Sequence, residues 1–209
     1  MAVSKAKENI LKKIRQALSN PVPLPFPLSE GTGSVFHPAQ SDLEIIFAEE
    51  FTKIQGQFAF CLNENVLEQQ VLQLIKEREW DKIYCSEHKW NKQFSNTINL
   101  PGCDASITGC EYLVARTGSI VMSAAQQSGR TTSVYAPIHI CIAYTNQLVY
   151  DIQDALQLLK EKYADNLPSL ITFASGPSRT ADIEKTLVTG VHGPKEVYLF
   201  LVESPAKQQ

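Results

Sequence analysis

The sequence predicts an α/β domain of three layers, in which a mostly parallel sheet lies between helices. The main observation is that short segments rich in Val, Ile and Phe alternate with amphipathic segments of helical period. This alternation is typical of a parallel sheet covered by helices on both faces. The chain has 209 residues, of which 44% are hydrophobic, so it can bury a core without disulfides or metals.

The first 40 residues are predicted to form a helix on a proline-rich arm, ahead of an α/β domain over residues 41–209. Residues 4–19 have helical period, and residues 20–40 hold prolines at alternate positions, which favour extended backbone. The helix is expected either to pack on its own domain or to dock on a partner or a second copy, which leaves a homo-oligomer open. Its apolar stripe consists of Ile10, Leu11, Ile14 and Leu18.

Helices in the domain are predicted from caps and apolar spacing. The motif Ser41-x-x-Glu44 reads as a capping box that opens a helix ending near Ile54. Apolar periodicity predicts further helices over residues 64–79 and 151–163, the last with Ile152, Leu156 and Leu159 facing inward. A short helical piece at 87–94 and a helix from about Ser178 to Thr189 complete the set.

Strands are predicted where β-branched and aromatic residues cluster between turn residues. Residues 113–123 are expected to form two strands around the turn Thr117-Gly118-Ser119. The other predicted strands cover residues 57–62, 82–86, 138–145, 170–175 and 196–203.

Charge and hydropathy exclude several classes of function. The net charge of −3 is unlike the basic surplus of a general nucleic-acid binder. No apolar run is long enough to span a bilayer, and the N-terminus lacks the apolar stretch of a signal peptide. A cytoplasmic protein is therefore expected.

The five cysteines form no C-x-x-C pair and mostly sit in apolar runs, so they are interpreted as small buried residues. Cys103 and Cys110 could come together around a glycine. Because no further Cys or His stands at ligand spacing, no metal or cofactor is expected on this chain.

The arginines indicate an anion-binding cleft. Between Tyr112 and Tyr150 the only charged residues are Arg116 and Arg130, and Arg179 stands at the start of the last predicted helix. Arginine in a cleft requires an anionic partner. Either distant acidic residues supply it, or the cleft accepts an anionic ligand.

Three loops are predicted to carry ligand-binding residues. A polar turn, the Arg130 loop and a helix N-terminus with free amides would together hold a phosphate or carboxylate. The alternatives are a plain hairpin turn for the first and an ordinary helix cap, with Arg179 paired to Asp182 or Glu184, for the last. His139 and His192 are read as structural residues rather than bases. The candidate ligand-binding residues are Thr117, Gly118, Ser119, Arg130, Gly176, Ser178, Arg179 and Thr180.

Three strings carry a family resemblance: TGCEYLVARTGSIVMS, R-TTSVYAPIHICI and FASGPSRTADIEKTLVTGVHGPKEVYLFLVE. Together they resemble the lactate utilization protein C family, the LUD domain, over roughly residues 105–203. The resemblance implies a NagB/RpiA/CoA-transferase-like fold. It also implies a part in the oxidation of L-lactate to pyruvate alongside iron–sulfur partner subunits, which would carry the clusters.

One position departs from the family pattern. Family members commonly show A-E-T-G before the buried strand, whereas this chain has Arg116 ahead of Thr117 and Gly118. A carboxylate acting there in CoA-transferase style in relatives has no equivalent at this position. The sequence therefore keeps two functions open: an accessory subunit of lactate oxidation, and an enzyme or binder for a phosphorylated, CoA-linked or folate-like anion.

Overall fold

The computed structural model of the chain describes residues 5–19, 41–180 and 188–204. The chain divides into two units, Met1–Pro38 and Ala39–Gln209. Within the first unit, the predicted N-terminal helix is confirmed, and Ile10, Leu11 and Ile14 of its apolar stripe are exposed. The predicted proline-rich arm lies outside the described residues.

Helices form where the sequence has apolar periodicity and polar caps. Asn63 caps the third helix by accepting a hydrogen bond from the Val66 amide, and Asp151 caps the last one in the same way from the Gln153 amide. The described helices are α1 (Lys5–Ser19), α2 (Leu43–Lys53), α3 (Glu64–Glu77), α4 (Asn91–Phe94), α5 (Thr132–Tyr135) and α6 (Ile152–Tyr163).

The strands are short, apart from two of seven residues that cross the centre of the domain. In chain order the described strands are β1 (Gln57–Cys61), β2 (Ile83–Cys85), β3 (Ala105–Thr108), β4 (Tyr112–Val114), β5 (Ser119–Ser123), β6 (Ile138–Tyr144), β7 (Leu148–Val149), β8 (Ile171–Ala174), β9 (Arg179–Thr180), β10 (Val188–Thr189) and β11 (Glu196–Val202).

Five strands form the main sheet in the order β1-β11-β6-β3-β2, and each of its four pairings is parallel. Side chains alternate between its faces. On β6, Ile140 and Ile142 pack with α3 and α4, whereas Cys141 and Ala143 pack with α2 on the opposite face. The predicted α/β class with a mostly parallel sheet and flanking helices is confirmed.

A second sheet of four strands, β7-β4-β5-β8, lies on the α2 side. Leu113 and Ile120 face the main sheet together with Phe51 of α2, while Val114 and Val121 face α6. The turn between β4 and β5 is too short for a crossover, so these strands pair antiparallel. The sequence predicted β4, β5 and β8, but neither β7 nor the separate sheet that the four strands form.

The predicted capping box at the start of α2 is wrong. The helix begins at Leu43 and its N-cap is Asp42, whose carbonyl accepts hydrogen bonds from the amides of Ile45 and Ile46. The Asp42 side chain makes no capping hydrogen bond. The first turn therefore starts one residue later than the Ser41 motif predicts.

The helix predicted from about Ser178 to Thr189 is also wrong at both of its ends. Arg179 and Thr180 pair antiparallel with Thr189 and Val188 in a two-stranded ribbon, β9-β10. β-Branched residues at these positions favour extended backbone. Residues 181–187, the middle of the predicted helix, lie outside the described residues.

One of the residues of α6 that the sequence predicted to face inward is in fact exposed. Leu159 is buried as predicted, but Leu156 is exposed and Ala155 is buried in its place. The inward stripe of this helix therefore follows the partly buried Ile152 and the buried Ala155 and Leu159, at spacings of three and four.

Candidate functional site

The predicted polar turn forms a short chain of hydroxyl groups with a neighbouring strand. The hydroxyl oxygens of Thr117 and Ser119 are 2.8 Å apart, and that of Ser119 is 2.7 Å from the hydroxyl of Ser175. Ser119 is buried, whereas Ser175 at the end of β8 is exposed. The fold thus brings the first predicted loop next to the last one.

Gly118 and Gly176 both lie against α2. Gly118 has a φ of +59°, and a Cβ there would lie 2.6 Å from the amide nitrogen of Phe51. Gly176 has a φ of +76°, and a Cβ would lie 2.4 Å from the carbonyl oxygen of Ile54. Both positions require glycine for packing, whether or not a ligand is present.

The guanidinium of Arg179 donates a hydrogen bond to the same Ile54 carbonyl at 2.5 Å. This carbonyl belongs to the C-cap residue of α2, where helix carbonyls lack partners within the helix and favour a positive charge. The alternative pairing with Asp182 or Glu184 falls on residues outside the described part of the chain. Arg179 therefore has a structural contact of its own, although its side chain remains exposed.

Arg116 is paired with an acidic residue. Its Nε donates to Oδ2 of Asp151, the N-cap of α6. Burial opposes ionisation of Asp151, but hydrogen bonds from Arg116 and from the Gln153 amide hold the pKa of its carboxyl below the usual value. The charge of Arg116 is therefore balanced by Asp151, the first acidic residue after the segment 112–150.

Arg130 and Thr180 lie apart from these contacts. Arg130 is exposed on the loop before α5. Among the described residues, no hydrogen bond or ion pair joins it to the other predicted ligand-binding residues. Thr180 takes part in the β9-β10 ribbon through its register with Val188.

A cavity of about 370 Å³ lies at the amino ends of β6 and β11, beside the last predicted loop. The backbone joins loop and cavity, because the Ser178 amide donates to the Pro194 carbonyl and the Gly190 amide donates to the Ser178 carbonyl. A Cβ on Gly193 would lie 3.0 Å from that of Ser178. Nine residues line this amino-edge cavity: Val134, Tyr135, Ala136, Pro137, Gly190, Val191, His192, Gly193 and Lys195.

The amino-edge cavity combines a basic lining with an apolar wall. Lys195 and His192 are its ionisable basic residues, and no acidic residue lines it within the described part of the chain. Val134, Tyr135 and Val191 are exposed hydrophobic residues on the same rim. A small anion with an apolar portion fits this lining, because the ammonium group of Lys195 supplies the charge and the rim supplies contact area.

The ligand-binding residues predicted from the sequence do not include Lys195, which lines this cavity. Sequence reasoning set His192 aside as structural, although both residues lie in the string GVHGPKE that carries the family resemblance. His192 and Lys195 line the cavity because their loop meets Pro137 at the edge of the sheet, where the Lys195 amide donates a hydrogen bond to the Pro137 carbonyl. Residues 134 and 195 are too far apart in sequence for spacing to reveal this.

His139 is a buried core residue. Its Nε2 lies 2.8 Å from the hydroxyl oxygen of Thr108, and burial lowers its pKa to about 4. The imidazole is therefore neutral at neutral pH. This environment agrees with the structural interpretation made from the sequence.

The cysteines are all buried and free. Within residues 5–19, 41–180 and 188–204, no group of three His, Cys, Asp or Glu side chains is arranged to hold a metal ion. Over the same residues, no helix is long and apolar enough to cross a membrane.

Comparison with known proteins identifies relatives of this chain. An uncharacterized protein of Neisseria meningitidis is 32% identical over 114 residues, which cover 54% of this chain and 46% of that protein. Lactate utilization protein C of Bacillus licheniformis is 33% identical over 127 residues, 60% of this chain and 50% of the relative. Its Bacillus subtilis counterpart is 26% identical over 158 residues, 74% and 66% of the two chains. The chain thus spans about half the length of the first two relatives.

A solved structure shows the same fold. The crystal structure of a DUF162 family protein from Deinococcus radiodurans superposes with a TM-score of 0.57 at 15% identity, covering 79% of this chain and 99% of that one. The model of the LUD domain family matches residues 77–202, more than half of the chain. This range includes both long central strands and the amino-edge cavity, and the chain therefore belongs to the LUD domain family.

Proposed function

We propose that this protein is an accessory subunit in the oxidation of L-lactate to pyruvate, acting in the cytoplasm with iron–sulfur partner subunits. Relatives named lactate utilization protein C, in several bacteria, support a role in lactate utilization. In this reaction electrons leave the substrate, and clusters on the partner subunits would accept them. The LUD chain would supply binding and assembly.

The observation that carries this proposal is the basic amino-edge cavity. Lactate and pyruvate are carboxylates, and Lys195 offers an ammonium group with no acidic residue beside it among the described lining residues. The backbone contacts of Ser178 connect the cavity to the predicted loop. In this proposal, Lys195 binds the carboxylate, and Ser178 supports the lining through its backbone hydrogen bonds to Gly190 and Pro194.

The exposed stripe of α1 supports docking on a partner. Ile10 and Ile14 lie one helical turn apart and are 59% and 48% exposed. Replacing Ile14 with Asp would put a charge in this stripe. Replacing Gln16, on the other side of the helix, is the matched control.

Genetic complementation tests the proposal. A strain lacking the gene should grow poorly on L-lactate and normally on pyruvate, and wild-type protein should restore growth. The tagged chain should co-purify with iron–sulfur subunits, with Ile14→Asp weakening this association and Gln16→Asp leaving it intact. Full lactate oxidation by the partner subunits without this chain would disprove the accessory role.

A second candidate function is that of an enzyme or binder for a phosphorylated, CoA-linked or folate-like anion. The apolar rim around Lys195 favours it, because lactate alone has little apolar surface to cover Val134, Tyr135 and Val191. A thermal-shift screen with L-lactate, pyruvate, phosphate esters, CoA and folates separates the two candidates. A ligand at a hundred times its Kd should stabilise the protein by about 2.7 kcal/mol.

Two lysine variants and one arginine variant locate the ligand. Lys195→Ala should abolish the shift, whereas Lys53→Ala, on the exposed C-terminal turn of α2, should leave it unchanged. Arg179→Ala tests whether Arg179 binds the ligand directly or only supports the fold through its hydrogen bond to the Ile54 carbonyl. A lost shift with unaltered stability of the free protein would place Arg179 at the ligand.

A further inference from the structure

A second cavity lies at the opposite edge of the main sheet, where the parallel strands end. Its volume is about 540 Å³, within the range of small-molecule sites. Residues that follow or end β1, β6 and β11 line it, including Asn63, Tyr144 and Glu203. The strands β6 and β11 have seven residues each, so this carboxyl-edge cavity lies about 20 Å from the amino-edge cavity. In open α/β sheets the carboxyl edge is the usual place for a ligand.

A hydrogen-bonded cluster of three side chains forms one wall of the carboxyl-edge cavity. Oε1 of Glu64 accepts a hydrogen bond from the Tyr144 hydroxyl at 2.5 Å and one from the Lys89 ammonium at 2.7 Å. The Lys89 ammonium also donates to the Tyr144 hydroxyl, and it lies 4.3 Å from the centre of the tyrosine ring. Three segments of the chain, β6, the start of α3 and the residues before α4, therefore meet at one polar group.

The protonation states in this cluster are set by its contacts. Burial and the hydrogen bond to Glu64 raise the pKa of Tyr144, so the phenol keeps its proton at neutral pH. Burial opposes ionisation of Glu64, but hydrogen bonds from Lys89 and Tyr144 outweigh it and lower its pKa. The wall thus presents an ion pair and a protonated phenol.

Trp90 adds a buried polar atom behind the cluster. Its side chain is 6% exposed, and its indole nitrogen has no hydrogen-bond partner among the described residues. The ammonium group of Lys89 lies 5.6 Å from the centre of the Trp90 ring, which places this indole next to the cluster. A buried donor left without an acceptor is costly.

The lining of the carboxyl-edge cavity carries one ammonium group and two carboxylates, and the ion pair of Lys89 with Glu64 leaves the exposed carboxylate of Glu203. Lys89 disfavours a cationic ligand, while Glu64 and Glu203 disfavour an anionic one. Hydrogen-bonding groups of both kinds remain: the amide of Asn63 and the hydroxyl of Ser204 donate, and carboxylate oxygens accept. Leu62, which is 65% exposed, supplies an apolar surface beside them.

We propose that the carboxyl-edge cavity binds a neutral, polyhydroxylated small molecule, whose hydroxyl groups donate to Glu64 and accept from the remaining N–H of Lys89, while Tyr144 holds both of these side chains in place. Such a ligand satisfies mixed donors and acceptors without a net charge, and its carbon skeleton covers Leu62. This site is distinct from the proposed anion site and does not depend on the lactate function.

A charge series of matched shape tests the proposal. D-Glucose, D-glucosamine and D-gluconate, together with myo-inositol and glycerol, are titrated into the full chain and binding is measured by saturation-transfer NMR and calorimetry. The neutral compounds are expected to bind more tightly than glucosamine and gluconate. Tyr144→Phe and Glu64→Gln should each weaken the neutral ligand about tenfold, because each removes a hydrogen bond to a charged or buried group.

The control variants separate this site from other surfaces. Tyr84→Phe removes a phenol hydroxyl on β2 and should leave binding unchanged, as should Lys195→Ala at the amino-edge cavity. Tighter binding of gluconate or glucosamine than of glucose would overturn the proposal. So would the absence of binding by every neutral compound, or binding that Tyr144→Phe and Glu64→Gln leave unaltered.

Discussion

The ammonium of Lys162 donates a hydrogen bond to the buried carboxylate of Glu111, with Nζ and Oε2 2.6 Å apart. Two further donors reach the same carboxylate, the hydroxyl of Ser123 at 2.5 Å and that of Tyr163 at 2.7 Å. Glu111 lies between β3 of the main sheet and β4 of the second sheet, and Lys162 and Tyr163 belong to α6. This one carboxylate therefore ties the second sheet to α6.

Replacing Glu111 with Gln should lower the free energy of unfolding by about 2 kcal/mol, because an amide cannot accept all three of these donors and leaves buried polar groups unsatisfied. Denaturant unfolding measures the loss. Lys162→Met is the matched control, with an expected cost below about 1 kcal/mol because the lysine is 51% exposed. Equal losses in the two variants would show that the ion pair, and not the buried carboxylate, dominates.

The same carboxylate gives a pH dependence. Burial opposes its ionisation, but hydrogen bonds from Lys162 and Ser123 outweigh burial and lower the pKa of Glu111 below its ordinary value of 4.5. A lowered pKa in the folded state means that the stabilisation is complete above pH 4.5 and is lost as the pH falls further. Below pH 4.5, the free energy of unfolding of Glu111→Gln should therefore fall less steeply with falling pH than that of the wild type. An unchanged steepness would contradict the assignment to Glu111.

His139 should also make the free energy of unfolding depend on pH, in a higher pH range than Glu111. Burial lowers its pKa from 6.5 to about 4, so between these values the unfolded chain binds the proton more readily than the folded chain. The free energy of unfolding should thus decrease by about 3 kcal/mol as the pH falls from 6.5 to 4, with no contribution above 6.5. Urea unfolding at several pH values measures this slope.

A glutamine at position 139 keeps a polar group near the Thr108 hydroxyl but does not titrate. His139→Gln should flatten the slope between pH 4 and 6.5, at some cost in stability at neutral pH. His88→Gln, at an exposed histidine, should keep the wild-type slope. A slope that persists in His139→Gln would assign it to other groups.

The elements that sequence reasoning found are those whose pattern is local. The apolar runs of β6 and β11, the turn at Gly118 and the helix after Asp151 are each evident in a few consecutive residues. In contrast, β3 was missed, because Ser106 and Thr108 interrupt its apolar pattern. Both are buried, and Ser106 donates to the Thr132 carbonyl, so their polarity is satisfied by contacts that the sequence does not display.

The contacts of the candidate site were hidden for the same reason. Arg179 donates to Ile54, 125 residues earlier, and Arg116 pairs with Asp151, 35 residues later. The sequence predicts that arginines in a cleft need an anionic partner, either a distant acidic residue or a ligand. It does not show that Arg116 meets Asp151 and Arg179 meets the Ile54 carbonyl, or that Lys195 lines a cavity.

The pair of Arg116 and Asp151 should contribute unequally to stability. Asp151→Ala removes the N-cap of α6 as well as the ion pair, with an expected loss of between about 1 and 2 kcal/mol. Arg116→Ala should cost less than about 1 kcal/mol, since its side chain is 43% exposed. Asp165→Ala, at an exposed position, is the control for a surface aspartate. Thermal or urea unfolding that shows equal losses for Arg116→Ala and Asp151→Ala would mean that the cap contributes nothing.

Gly118 offers the sharpest test of packing against α2, because Gly129 has nearly the same backbone conformation in open surroundings. Their φ angles are +59° and +64°, but a Cβ on Gly118 would lie 2.6 Å from the Phe51 nitrogen, whereas a Cβ on Gly129 would meet nothing within 4 Å. Gly129→Ala should therefore cost about 1 kcal/mol for its left-handed conformation alone. Gly118→Ala should cost about 3 kcal/mol, since helix backbone must also move.

The variants Gly118→Ala and Gly129→Ala also test whether Gly118 belongs to the anion site. The difference between the two variants measures the contact with α2, and equal losses would show that the turn does not press on the helix. Gly118→Ala is expected to be less stable than the wild type. If an anion nevertheless raises its Tm by as much as it raises the wild-type Tm, the glycine serves packing alone. A lost shift in folded Gly118→Ala protein would instead extend the anion site from the amino-edge cavity to the turn at Thr117 and Ser119.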